Sequence, residues 1–168
     1  KSGLNIKEDN AREHIYGYTI YNDFSARAIQ SAEMTVGLGP AKGKDFVGAH
    51  VLGPILVTAD EIPDPYSLFM RGFVNDQQWT DGSSSAMNWK FEEMIAYASW
   101  NEQLAVGEVF GSGTVGNGSG AEQDKVLNPE DVIRLEMPVI GTLQNRLVRR
   151  KPFIGSLEYP FKRNSGAS

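Results

Sequence analysis

Asp23 is the first residue of the chain whose setting suggests chemistry. It closes the run Tyr16-Gly-Tyr-Thr-Ile-Tyr21-Asn22, whose aromatic and β-branched composition is that of a strand, and Arg27 and Gln30 follow closely. A carboxylate at a strand end can hold a hard divalent cation, and a neighbouring guanidinium and carboxamide can take up the carboxylate of a small acid. An Asn-Asp pair is also an ordinary turn former, so the position alone does not decide. Lys44, in Gly43-Lys44-Asp45, is a second candidate, as a cation beside a metal or a carboxylate, although most lysines are simply solvated. The third is Gly111-Ser-Gly113-Thr114-Val-Gly116, where Gly113 and Thr114 would present backbone N–H groups and a hydroxyl to an anionic ligand.

Other chemistries are excluded or disfavoured by the same reading. The glycine run spells a dinucleotide fingerprint, but Asn117-Gly-Ser-Gly120 follows where a helix should open, so nucleotide binding is not expected. Gly43-Lys44 lacks the spacing of a phosphate-binding P-loop. His14 and His50 belong to no zinc-binding helix and are expected to be structural, and no Gly-x-Ser-x-Gly elbow is present. With no Cys there is no thiolate nucleophile, disulfide or cysteine-held metal, which suits a cytoplasmic protein.

The elements that must position these residues read as mainly β. Phe24–Gln30 is predicted to form a short helical turn, and Gly37, Gly39, Pro40 and Gly43 to impose a loop. Val47–Ala59 reads as two short strands broken at Gly53-Pro54. Leu68–Val74 and Gln77–Thr80 flank Asn75-Asp76 as a hairpin. One clear helix is predicted from an Asn88 N-cap, with Phe91, Met94, Ile95 and Ala98 on a single buried face. Val106–Phe110, Val132–Met137 and Leu143–Val148 complete the strands. Many short strands with one helix do not make the alternating pattern of a doubly wound sheet, so an α+β sandwich or rolled sheet is expected.

The 168 residues carry 16 Lys+Arg against 21 Asp+Glu, a net charge of −5, and 40% of them are apolar. That balance suits one globular domain and lacks the basic field that nucleic acid requires. No apolar stretch is long enough for a membrane span, and the N-terminal residues form no signal peptide. The basic stretch from Arg149-Arg-Lys151 to Lys162-Arg163 is expected to be a peripheral tail, spanning 149–168.

Taken together, several segments resemble the fumarylacetoacetate hydrolase family. They are Gly17–Gln30, Gly39-Pro40, Gly43-Lys-Asp-Phe46 and Phe110–Gly120, with Leu52–Ile62, Trp89–Ser99, Leu127–Val132 and Gly141–Asn145 in the same order. The resemblance implies a mixed β-sandwich roll, a divalent metal (Mg²⁺ or Mn²⁺, with Ca²⁺ possible) and a small keto-acid substrate of the acylpyruvate or β-diketo type. It also implies C–C hydrolysis, with isomerisation and decarboxylation as related outcomes, and a homodimer. By position, Asp23 matches the family's metal-binding Asp and Lys44 the Lys beside the metal. Arg27 and Gln30 match residues that hold the site or touch substrate, and Thr114, with Gly113 before it, matches the ligand-contacting loop.

The departures are specific. Ala28 stands where the motif has Asp, Met34 where some members place a substrate-facing Tyr, Gly48 where some place a Thr, and Ser119 where relatives often carry Cys. The family's Glu-x-Glu metal ligands and its lid His would lie upstream of Lys1. The chain is therefore expected to be the C-terminal portion of a longer enzyme, with a non-catalytic member as the competing reading. Glu33, Asp45 and Glu122 are the residues that could replace the missing carboxylates.

Overall fold

The computed structural model describes residues 1–149. The tail expected over 149–168 lies, beyond Arg149, outside the described residues. Two antiparallel sheets make up the framework. β1 (Gly17–Asp23) and β2 (His50–Thr58) form a two-stranded ribbon, and β3 (Phe69–Val74), β4 (Gln77–Ser83), β5 (Val132–Met137) and β6 (Gly141–Arg146) form a sheet in the order β4-β3-β5-β6. The inner faces meet over a core of Ile20, Val57, Ile62, Ile140 and Leu143, each under 9% exposed, so β6 closes the sandwich against the ribbon. A second core of Ile6, Ala11, Ile95 and Leu104 joins α1 (Glu8–Ala11) to α3 (Phe91–Ala98) beside it.

Local chemistry explains the strand ends. Asn75 and Asp76 adopt φ of 49° and 64°, the twisted two-residue turn that suits the β3–β4 hairpin. The predicted break at Gly53-Pro54 does not divide β2. Instead β2 bulges there, residues 54–56 lying opposite the single Thr19 of β1, and the Thr19 hydroxyl donates to the Ile55 carbonyl at 2.8 Å. Pro54 has no N–H to give to a ladder, and the irregularity absorbs that loss while the strand continues.

Three expectations are corrected. The early helix is α2 (Arg27–Met34), later and longer than predicted, because residues 24–26 are held extended: Phe24 N–H donates to Ala49 O and Ala26 N–H to Gly43 O, both at 2.8 Å. The later helix starts at Phe91, with Lys90 as N-cap in place of Asn88, since the Glu93 carboxylate accepts the Lys90 N–H at 2.7 Å. Val106–Phe110 forms no strand. Gly107 has φ of 95°, Ala105 N–H turns back to Glu108 Oε1 at 2.6 Å, and Val106 and Val109 face solvent, so the β-branched residues have no sheet to pack on.

Candidate active site

Strand pairing assembles the centre of the site. Asp23 is cross-strand partner to His50, and Tyr21 lies two residues before Asp23, so period-two alternation places all three side chains on one face at the end of the ribbon. Tyr21 Oη is 2.5 Å from His50 Nδ1, and that same nitrogen is 3.5 Å from Asp23 Oδ1. The other carboxylate oxygen, Oδ2, accepts a hydrogen bond from Lys44 Nζ. Asp23 is thus the last ladder residue, not a turn former, and retains 39% of its side-chain exposure with one oxygen bound by an ammonium. Burial, with the Asp23 charge as a second cause, holds the Tyr21 phenol above its ordinary pKa, so it acts as a neutral hydroxyl.

Lys44 reaches Asp23 across 21 residues because its loop is gripped from below. The Glu33 carboxylate accepts the backbone N–H groups of Ala41 (2.8 Å), Lys42 (2.7 Å) and Gly43 (3.0 Å). Those N–H donors, Gly43 and then Ala41 foremost, hold the Glu33 carboxyl below its usual range. Gly43 packs on α2 so closely that an added Cβ would lie 2.7 Å from Gln30 Cα, which is why glycine precedes the lysine.

Arg27 and Gln30 share the first turn of α2, where Arg27 Nη1 donates to Gln30 Oε1 at 3.0 Å. The glycine-rich loop crosses above, from ribbon to sheet. A Cβ on Gly111 would meet the Tyr21 ring at 3.0 Å, and one on Gly82 of β4 would collide with Val115. The loop's far end is clamped to β4: Gln123 Nε2 donates to the Trp79 carbonyl at 3.0 Å, and Lys125 Nζ sits 4.9 Å from the Trp79 ring centre. Arg27 feels this loop too, since its charge helps lower the Glu122 carboxyl, after the larger effect of the Ser119 N–H and hydroxyl. Gly113, at φ 79°, and Thr114 occupy the crest of the loop, with open space around Gly113.

The structure thus brings Asp23 and Lys44 into one ion pair and Arg27 and Gln30 together on α2, while Gly113 and Thr114 lie on the glycine-rich loop whose Gly111 packs on Tyr21. Sequence reasoning missed the proximity of His50 and Tyr21. The signal was present as the spacing Tyr21-x-Asp23 opposite His50, but the supposed break in β2 concealed the register. The three possible replacement carboxylates are engaged elsewhere: Glu33 on the loop amides, Asp45 on Lys42 at 3.3 Å, and Glu122 on the Asn117 and Ser119 N–H groups. His14 is remote, with Nδ1 3.0 Å from the Lys1 carbonyl.

Among the described residues no three His, Asp or Glu side chains converge as a closed metal site. Asp23 fits the lower end of what Mg²⁺ or Mn²⁺ uses, one carboxylate with water and substrate oxygens completing the shell. The donor set falls well short of the roughly six to eight oxygens of a Ca²⁺ site.

Comparison with known proteins makes the class of this β-sandwich specific. Residues 1–148 match the family model described as fumarylacetoacetate (FAA) hydrolase, C-terminal. The chain belongs to the fumarylacetoacetate hydrolase family. It is 38% identical over 149 residues to the mitochondrial oxaloacetate tautomerase fahd2 of Xenopus laevis, covering 88% of this chain and 46% of that protein. Among solved structures it superposes on a fumarylacetoacetate hydrolase from Exiguobacterium antarcticum with a TM-score of 0.76 at 30% identity, covering 89% of this chain and 53% of that one. A 5-carboxymethyl-2-hydroxymuconate delta-isomerase from Mycobacterium smegmatis gives a TM-score of 0.77 at 27% identity, covering 90% and 55%. The chain spans about half the length of the curated relatives it matches. Among the described residues no helix is long and apolar enough to cross a membrane.

Proposed function

We propose that this chain forms the substrate-and-metal half of a divalent-metal-dependent hydrolase that cleaves a C–C bond in an acylpyruvate-like 2-oxo acid. The observation that carries the reading is the Lys44–Asp23 pair at the end of the ribbon, where Gly111 of the glycine-rich loop packs on Tyr21. Both the cleavage and its isomerising relatives pass through negative charge on an enolate oxygen, and cations fixed in advance stabilise that charge where it develops. A divalent cation bound at Asp23 would supply Lewis-acid stabilisation of the same oxygen. Lys44 adds a fixed positive charge on the same side. Arg27, whose guanidinium donates, among the described residues, to the neutral Gln30 carboxamide, would take the substrate carboxylate. The loop at Gly113-Thr114 offers N–H and hydroxyl donors from above. Small keto acids are the expected partner, and pairing of two copies the expected assembly.

Tautomerisation is the second reading, favoured by the 38% identity to an oxaloacetate tautomerase, and it needs the same enolate without attack by water. The test is incubation of the full natural chain with Mg²⁺ or Mn²⁺ and a panel of acylpyruvates, followed by diketone absorbance and product mass. Loss of absorbance with one water added supports hydrolysis. Isomerised product of unchanged mass supports the second reading, and unchanged substrate across the panel overturns both.

A further inference from the structure

We propose that Glu33 is a positioning residue for the reaction and acts through Lys44: its carboxylate holds the 41–43 backbone so that the Lys44 ammonium stands in fixed register with Arg27. This rests on the functional reading above, in which Lys44 meets charge that develops on the substrate and Arg27 meets its carboxylate. Three consecutive backbone N–H groups converge on the one side chain, those of Ala41 and Gly43 on Oε2 and that of Lys42 on Oε1. Such a run of amides is a donor site for an anion, and here a carboxylate supplied from α2 fills it. The grip extends to the lysine itself, because the N–H groups of Lys44 and Asp45 turn back to the Ala41 carbonyl at 3.0 and 2.8 Å.

The helix turns this grip into a register. α2 carries Arg27 and Gln30 in its first turn and Glu33 near its end. The Lys44 loop is tied to it at three levels: the N–H of Ala26, the N-cap, donates to the Gly43 carbonyl at 2.8 Å, Gly43 packs on the Gln30 backbone, and Glu33 takes the three amides. Removing the last tie leaves Arg27 in place and frees one side of the loop. Binding of the substrate carboxylate then persists, while stabilisation of charge that appears in the transition state weakens. The loss therefore falls on kcat and spares KM.

Glu33→Ala in the full natural chain, assayed on whichever acylpyruvate of the panel is turned over, tests this, because alanine keeps the helix and leaves room for acetate against the three amides. The expected result is a kcat lowered by about tenfold at a KM within about two-fold of the parent, with kcat restored by added acetate, which does not raise that of the parent. Asp45→Asn removes the neighbouring loop carboxylate, which pairs with Lys42, and is expected to match the parent; an equal loss there overturns the role of Glu33. Unchanged kcat in Glu33→Ala also overturns it, as does a loss that acetate fails to restore, which would make Glu33 a fold-stabilising residue only. Should Glu33→Ala fail to fold, Glu33→Gln, which keeps one acceptor oxygen, decides by the same split: a fall in kcat at constant KM supports the role and no fall overturns it. If the parent turns over no member of the panel, the functional reading falls, and the ¹⁵N-ammonium resonance of Lys44 decides alone. Its loss in Glu33→Ala and return with acetate support the register, and an unchanged resonance overturns it.

Discussion

The two sheets each carry a cluster of charge, and the clusters are built to different ends. On the four-stranded sheet, Glu136 is held by Arg71 at 3.1 Å and by Arg134, and Arg134 also stacks 4.1 Å from the Phe73 ring centre. Both arginines there converge on the one carboxylate, and the Glu136 side chain is 20% exposed. At the end of the ribbon, Asp23 has one ammonium on one oxygen, a histidine near the other, and nearly twice that exposure. A charge neutralised by two cations within a sheet fastens strands. One left half-engaged at a strand end can bind something else. The position of a carboxylate matters less than how completely its neighbours have satisfied it.

Breaking the ribbon cluster has the largest expected effect. Asp23→Asn keeps the shape of the side chain but removes its charge, and is expected to abolish saturable Mg²⁺ and Mn²⁺ binding in a calorimetric titration and to lower kcat/KM by about 10²–10⁴-fold. Retained binding in the variant would place the metal elsewhere. Gly43→Ala comes next. Its Cβ would press on the α2 backbone at Gln30, a contact that no side-chain rotation relieves, so the Lys44 loop must shift. A misplacement of about 1 Å is worth on the order of 10²-fold in rate, readable as a fall in kcat, and the overpacking is expected to cost about 1–3 kcal/mol in denaturant unfolding.

Glu136→Gln sharpens the contrast from the other side. It leaves two arginines without their shared counter-charge and is expected to cost about 1–3 kcal/mol in denaturant unfolding, with metal binding unchanged. A loss of metal affinity in this variant would mean that the clusters are coupled. The smallest effect belongs to Glu33 and has a definite sign. Its folded-state carboxyl is held below the ordinary value of 4.5, so its stabilising contribution is complete above that value and is lost as pH falls toward the lower folded-state value. Hydrogen exchange at Ala41, Lys42 and Gly43, corrected for its intrinsic pH dependence, should therefore accelerate in that acid range. In Glu33→Gln it should be faster at neutral pH and lose this acid dependence.

The same comparison shows what the sequence could reveal. Val132–Met137 and the Asn75-Asp76 hairpin are local features, set by alternation and by two residues that tolerate positive φ, and they match the structure almost residue for residue. Asp23 and Lys44 were legible through family motifs, not through any periodicity, since the distance between them is bridged by a loop. The start of α2 was not legible because the bonds that keep residues 24–26 extended come from Ala49 and Gly43, both distant in sequence. His50 was overlooked for a related reason. Its value lies in its register against Asp23, and register depends on how β2 itself bulges at Pro54. Val106–Phe110 misled in the opposite direction, by carrying β-type residues into a segment with no neighbouring strand.

The clamp of Gln123 and Lys125 on Trp79 gives the molecule an optical readout of its own. Trp89 and Trp100 are 64% and 70% exposed and open to a collisional quencher such as iodide, whereas Trp79 is partly shielded beneath the foot of the glycine-rich loop. With the two outer indoles quenched, the remaining emission comes mainly from a fluorophore whose cation partner, Lys125, lies at the foot of the glycine-rich loop. A displacement of the loop's foot from β4 can then be followed in real time, without a label or a chromogenic substrate.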